Sequence, residues 1–239
     1  MQLIIVRHGD PDYVLDSLTK EGKKEAKLLA KRLEKENIDY FYCSPLGRAQ
    51  KTASYTLKLV SKKAQTLDWL REFEGKVKTS PVKLPEQCWD RLPSYWTGID
   101  DYYGENWTEP ALMKTVNVKE EYKRVCDGLD ELLQKHGYVH DGHIFRVERS
   151  NHDKIVLFCH FGVECVILSH LIEMSPMLLW HNFVALPTSV TTAITEEREE
   201  GIAVFRINAF GDTSHLYAGA QPISFAARFC ECYRDDTRH

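Results

Sequence analysis

The sequence predicts an α/β protein with a mostly parallel central sheet, and three observations carry that reading. Short apolar runs alternate with segments of helical periodicity. Each run ends abruptly in a loop. One run, Ile155-Val156-Leu157-Phe158-Cys159, is apolar throughout. Alternation of strand and helix is what crossover connections between parallel strands produce. A strand covered on both faces has no polar alternate positions to show.

The elements follow in order. Residues 2–6 form a β-branched run that stops at Arg7-His8-Gly9-Asp10-Pro11, where Gly and Pro mark a loop. Thr19 precedes a helix expected over about 20–36, with Ala26, Leu29, Ala30 and Leu33 on its inner face. The Lys and Glu residues of its outer face read as a solvated surface. A strand over 39–43 is followed by Ser44-Pro45, an N-cap and first-turn signature for the next helix. Ala49, Ala53, Leu57 and Val60 give that helix its buried stripe.

Between 74 and 116 the periodicity dissolves into four prolines, glycines 75, 98 and 104, and tryptophans 89, 96 and 107. So long an irregular stretch in a compact chain reads as a lid or insertion. A helix is expected over 118–135, with Tyr122, Val125, Leu129, Leu132 and Leu133 inward. A hairpin-type excursion follows over 138–153 around Asp141-Gly142. After the apolar strand, His160-Phe161-Gly162 opens a helix over 163–173. Strands over 187–195 and 202–208 flank a charged turn at 196–201. Residues 1–239 are expected to form one domain that contains both the insertion and the excursion.

Net charge is −4 and the isoelectric point near 6.2, so no global basic field recruits nucleic acid or an acidic membrane. Any bound anion must be held by a local cluster of cations. Seven cysteines without a C-x-x-C pair argue for reduced thiols rather than a disulfide framework. Met1 leads directly into Leu3-Ile4-Ile5-Val6, a strand rather than a signal segment, and no apolar run reaches the ~18 residues of a membrane span. The expectation is a soluble cytoplasmic protein with no nucleic-acid or membrane partner. Oligomeric state is not legible.

Three features share one geometry. Arg7-His8-Gly9 follows the first strand, Arg48 lies at the start of the second helix, and His160 follows the central strand. In an open α/β sheet, ligands bind beyond the carboxyl ends of the strands, so these residues should converge. Two guanidiniums, two imidazoles and a helix N-terminus at one edge suit a phosphoryl group. A histidine in such a clamp can attack phosphorus, giving a phosphohistidine that water hydrolyses. The leaving alcohol needs a proton, for which Leu70-Arg71-Glu72-Phe73-Glu74 offers two carboxylic acids, Glu72 and Glu74.

Taken together, Arg7-His8-Gly9, Leu18-Thr19-x-x-Gly22, Ser44-Pro45-Leu46-Gly47-Arg48-Ala49-x-x-Thr52-Ala53, Leu70-Arg71-Glu72 and the strand-terminal His160 resemble the histidine phosphatase superfamily (phosphoglycerate mutase-like). The resemblance spans essentially the whole chain. It implies a three-layer α/β/α sandwich with a small inserted cap. It implies His8 as nucleophile and Glu72 as proton donor, with Arg7, Arg48, His160 and the backbone amide of Phe161 binding phosphate, and no cofactor or metal. The partner implied is a small phosphorylated substrate.

Departures bear on the subclass. Mutases of the family usually continue R-H-G with E/Q-[ST]-x-x-N, whereas this chain has Asp10-Pro11-Asp12-Tyr13. Residues 74–116 are acidic and aromatic rather than basic. Hydrolysis by a metal-independent phosphomonoesterase is therefore favoured over a phosphoglycerate-mutase-type phosphotransferase or a non-catalytic phospho-ligand-binding member. A neutral or aromatic leaving group is expected. Phe161 stands where many members carry glycine, which alters the pocket floor.

Other residues receive plainer readings. Cys43 and Arg48 are separated by four residues, one fewer than in the phosphate loop of cysteine phosphatases, so Cys43 reads as a core thiol. His136, His140 and His143 read as hairpin side chains rather than a metal site. Cys230-x-Cys232 fits neither common zinc pairs nor a redox motif. Trp89, Trp96 and Trp107 either line a substrate entrance or form the insertion's own small core.

Overall fold

The computed structural model describes residues 1–77, 86–224 and 232–234. Residues 78–85 of the expected insertion, and Cys230, lie outside the described residues.

β1 (Gln2–Arg7) leads through the two-residue strands β2 (Pro11–Asp12) and β3 (Ser17–Leu18) into α1 (Lys20–Leu33). β4 (Tyr40–Cys43), α2 (Gly47–Val60) and β5 (Gln65–Thr66) follow. Beyond the short pair β6 (Lys76–Val77) and β7 (Glu86–Gln87), residues 93–115 run through four single 3₁₀ turns. Next come α3 (Val118–Lys135), β8 (Tyr138–Asp141), β9 (Ile144–Val147), β10 (Lys154–Cys159), α4 (Phe161–Ile172) and α5 (Pro176–Asn182). β11 (Val190–Glu199), β12 (Ile202–Asp212) and α6 (Ser214–Ala218) complete the described elements.

One eight-stranded sheet has the order β5-β4-β10-β1-β11-β12-β9-β8. Its first four strands are mutually parallel, and the remaining pairings are antiparallel. Odd-numbered Leu3 and Ile5 of β1 and Ile155 and Leu157 of β10 bury into a core with α3 and α4. Ile4, Val6, Val156 and Phe158 bury into a second core against Leu29 and Leu33 of α1 and Ala49 and Ala53 of α2. Side chains alternate across a strand, so a run apolar at every position needs helices on both faces. Three layers result.

Register positions the site. Arg7 pairs with Cys159 across β1 and β10, and Cys43 pairs with Phe158 across β4 and β10. His8, Ser44 and His160 therefore leave the sheet at nearly the same level of its carboxyl edge.

Local chemistry moves several expected boundaries. α1 ends at Leu33, three residues early, and Asn37 then takes a left-handed conformation. α2 starts at Gly47 rather than behind a Ser44 cap, because the Ser44 hydroxyl is engaged elsewhere. Its first amide, on Gly47, is capped from a distance by Asp16 Oδ2 at 2.5 Å. Residues 187–189 are not strand: Pro187 lacks an N–H and Thr188 has φ 58°. Charged residues 196–199 extend β11, and Gly201 at φ 79° makes the turn. Within residues 138–147, β8 pairs with β9 and β9 with β12, which widens the central sheet.

Candidate active site

The loop after β1 is held by the residues around it. Thr19 Oγ1 accepts from Gly22 N (3.0 Å), capping α1, and donates to Asp10 Oδ2 (2.6 Å). Asp10 N donates to Glu25 Oε2, and Gly9 N donates to Thr52 Oγ1 of α2. A side chain at Gly22 would bring its Cβ within 2.3 Å of the Asp10 carbonyl oxygen, so only glycine lets the helix approach. The Leu-Thr-x-x-Gly and Thr52 signatures thus act by clamping the loop that carries His8.

His8 is buried, and its Nδ1 lies 2.8 Å from the Gly9 carbonyl oxygen. A carbonyl only accepts, so Nδ1 carries the proton and the lone pair is left on Nε2. Burial first, and the Arg7 guanidinium next, hold His8 well below the ordinary imidazole range. His8 is thus neutral and oriented at neutral pH, with its lone pair on Nε2.

The His160 ring centroid lies 5.0 Å from that of His8. His160 is fully buried as the N-cap residue of α4, with Nε2 2.7 Å from Ser44 Oγ. That hydroxyl accepts from Leu46 N at 3.2 Å, and among the described residues His160 Nε2 is the one group beside it that can accept its hydrogen. The tautomer follows: His160 Nδ1 bears a proton. Burial, followed by His8, Arg48 and Arg7, holds His160 well below the usual range too.

Arg7 Nη1 donates to the Ala185 carbonyl oxygen (2.5 Å), and the guanidinium lies 5.7 Å from the centroid of the Phe161 ring. Burial lowers its pKa from the ordinary arginine value. Arg48 Nη1 is paired with Asp16 Oδ1 at 2.7 Å, beneath Tyr13. Arg7 Nε, Arg48 Nε and His160 Nδ1 are all buried and have no hydrogen-bond partner. Buried donors are satisfied in native proteins as a rule, so three unsatisfied around one histidine imply an acceptor-rich ligand.

Of the two candidate acids, Glu74 is exposed while Glu72 is half-buried and feels the charges of Arg7 and Arg48. Glu72 Oε1 accepts from Phe73 N (2.8 Å) and Val163 N (3.1 Å), which leaves Oε2 to carry a proton. Burial raises its pKa, opposed by those two amides and by Arg7 and Arg48. A Cβ on Gly162 would stand 2.7 Å from Glu72 Oε1 and 3.1 Å from Trp89 Nε1. Trp89 Nε1 donates to the Phe73 carbonyl oxygen, and its ring meets Phe161 edge-on at 6.2 Å. Trp89 therefore belongs to the pocket wall. Trp96 and Trp107 are buried against His181 and Trp180.

Two polar residues escaped the sequence reading. Ser44 sets the His160 tautomer, and its position directly after a strand was the available signal. Glu164 sits unseen inside an apolar helix, fully buried, accepting from Thr191 Oγ1 at 2.5 Å. Burial pushes its pKa up to about 8. Cys43, fully buried, is pushed up to about 12, which suits a core thiol and not a nucleophile. Cys43, Cys88, Cys126, Cys159 and Cys165 are buried free thiols. His136 is occupied by Asp153 and Tyr42, and His143 by Glu173.

A family model for the histidine phosphatase superfamily (branch 1) matches residues 3–208. A probable phosphatase of Schizosaccharomyces pombe is 25% identical over 230 residues, covering 90% of this chain and 95% of its own. Phosphoserine phosphatase 1 of Hydrogenobacter thermophilus is 42% identical over a shorter stretch of 62 residues, 22% of this chain and 29% of its own. Among solved structures, phosphoserine phosphatase of Entamoeba histolytica in complex with phosphoserine superposes with a TM-score of 0.61 at 21% identity, covering 90% of this chain and 98% of its own. A mycobacterial glucosyl-3-phosphoglycerate phosphatase gives 0.56 at 18% identity, covering 87% and 98%. Among the described residues no helix is long and apolar enough to cross a membrane.

Proposed function

The chain belongs to the histidine phosphatase superfamily, branch 1, and from that premise we propose that it is a metal-independent phosphomonoesterase of small phosphorylated metabolites. His8 Nε2 attacks phosphorus, the P–O bond to the alcohol breaks, and Glu72 gives its proton to the leaving oxygen. Water then attacks the phosphohistidine. Glu72, now a carboxylate, takes a proton from that water, the P–N bond breaks, and neutral His8 and inorganic phosphate are released. Arg7, Arg48, His160 Nδ1 and the amide of Phe161 in the first turn of α4 bind the phosphoryl oxygens.

The observation that carries this reading is the set of buried donors without acceptors, Arg7 Nε, Arg48 Nε and His160 Nδ1, around a neutral His8 with its lone pair on Nε2. The net acidic balance of residues 74–116, seven carboxylates against five cations, favours hydrolysis over a phosphoryl transfer that must hold a second phosphate. The indole of Trp89 at the pocket wall favours a neutral or aromatic leaving group. We place the enzyme in a reducing compartment such as the cytoplasm, where free thiols persist.

The test is release of inorganic phosphate from a panel of phosphomonoesters in the presence of a chelator, comparing the protein with His8→Ala. Turnover that survives the chelator and disappears in the variant is expected. Turnover retained by His8→Ala would overturn the phosphohistidine route. Release that requires a bisphosphoglycerate primer would overturn hydrolysis in favour of transfer.

A further inference from the structure

We propose that Asp130, His140 and His170 form a binding site for a zinc-class divalent cation, separate from the phosphoryl pocket. Asp130 lies on α3, His140 on β8 and His170 in the last turn of α4, and one ligand atom from each falls within 4.8 Å of the others. His170 Nε2 is 2.8 Å from Asp130 Oδ1, and His140 Nδ1 is 3.8 Å from Oδ2 of the same carboxylate. Bonds of about 2.0–2.1 Å in a tetrahedron put ligand atoms about 3.3 Å apart, so the present separations, none above 4.8 Å, need contract by no more than about 1.5 Å. The side chains are partly buried, His170 at 13% and His140 at 24% exposure, unlike a loose acidic patch. The Phe145 ring stacks on His140 at 4.9 Å and holds it facing His170, whose ring centroid is 4.5 Å away.

Two imidazoles and one carboxylate suit zinc and its neighbours in the transition series, whereas magnesium and calcium require a shell of oxygens. Three protein ligands leave a fourth position. Both histidines line a cavity of about 490 Å³ whose wall also carries Tyr103, Glu105, Tyr122 and Glu173. That position is therefore open to a water or a small ligand entering from the cavity. The site is distinct from the phosphoryl pocket: His160 and His170 stand at opposite ends of α4, about 15 Å apart along its axis. Of the three hairpin histidines that the sequence places together, only His140 belongs to this cluster; His136 is engaged by Asp153 and Tyr42, and His143 by Glu173.

The experiment is zinc titration in competition with a chromophoric chelator, run in a His8→Ala, Cys232→Ser background that removes one histidine of the phosphoryl pocket and one exposed thiol. One equivalent of Zn²⁺ is expected to bind, and Co²⁺ should give the intense visible absorption of a tetrahedral centre. His140→Gln and His170→Gln should each weaken binding about 100-fold, and Asp130→Asn about tenfold. In the unaltered chain, His140→Gln should leave phosphate release unchanged, which also reports that the variant folds. Absence of stoichiometric uptake would overturn the proposal. So would zinc binding that persists in a His140→Gln, His170→Gln double variant, or equal competition by Mg²⁺, which would reduce the site to a patch of charge.

Discussion

Replacing Glu72 by Gln separates proton donation from every other role of that side chain. Gln keeps an oxygen where Glu72 Oε1 accepts from Phe73 N and Val163 N, at 2.8 and 3.1 Å, so the pocket wall stays in place. What disappears is the proton on the other oxygen. General acid catalysis is typically worth about 10²–10⁴-fold, so kcat for an alkyl phosphate should fall by that factor, about 3–5 kcal/mol of transition-state stabilisation. A nitrophenyl ester answers differently. Its leaving group is a weak base and departs unprotonated, so in a rapid-quench experiment the first turnover should survive within about tenfold. Phosphohistidine should then accumulate, because the variant also lacks the base for the second step. The wild-type profile of kcat/KM should fall as pH rises through the raised pKa of Glu72, and Gln should abolish that limb. Glu74→Gln, at an exposed position, should change neither ester. Equal losses on both esters with no burst of nitrophenol would refute the assignment, as would a Glu74→Gln variant that reproduces the Glu72 phenotype.

Three further perturbations test other parts of the site. Gly162→Ala places a Cβ 2.7 Å from Glu72 Oε1, and displacement of the acid by tenths of an ångström should lower kcat about 10–100-fold while Tm drops only a few degrees. Unchanged kcat would show that Glu72 has room to spare. Glu164 is buried in its protonated form with a pKa of about 8, raised above the value of 4.5 in the unfolded chain. A raised carboxyl stabilises the fold fully below the unfolded value and loses that contribution as pH rises to about 8, on the order of a few kcal/mol. Glu164→Gln should therefore be near neutral at pH 5 and more stable than wild type at pH 8 by chemical denaturation; parallel pH curves would contradict this. Finally, Cys43 is fully buried with its thiol pushed up to about 12, so iodoacetamide at neutral pH should leave phosphatase activity intact. Inactivation protected by phosphate would instead implicate a thiol.

The parallel half of the molecule was legible because its strands advertise themselves. β1 and β10 are apolar throughout residues 3–6 and 155–159, and a histidine follows each strand directly, so the rule for carboxyl ends of strands brings His8, Arg48 and His160 together from the sequence alone. The Arg7–Cys159 register is the physical form of that inference. Strand direction in the other half was not legible. β11 and β12 are long and partly polar, and only the structure places β11 antiparallel beside β1 and adds β9 and β8 at the edge. Ser44 looked like a helix cap because Ser-Pro is a cap signature, yet tertiary geometry gives its hydroxyl to His160. Glu164 was hidden because one carboxylate in an apolar helix does not disturb the pattern. The cluster of Asp130, His140 and His170 was invisible for another reason: its members come from three elements at no characteristic spacing.

Charge bookkeeping within the pocket links binding to the chemistry proposed for it. Both imidazoles are held below their usual range and enter the cycle neutral. Arg7 and Arg48 carry two positive charges, of which Asp16 offsets part at Arg48. An ionised Glu72 would cancel most of the remainder and repel a phosphate dianion. A protonated Glu72 leaves the site attractive to it. Burial already raises the Glu72 pKa, and an arriving dianion raises it further, so substrate binding and readiness of the acid reinforce one another. Once the alcohol leaves with that proton, the phosphoryl group sits on His8, and Glu72 is a carboxylate beside an electrophile awaiting water. In the proposed cycle the same two-state carboxyl thus serves both half-reactions, with its switch driven by the charge of the phosphoryl group. Arg48 is the sensitive member of this balance. Its pairing with Asp16 means that phosphate binds to a guanidinium already oriented from one side, with Nε left to face the ligand.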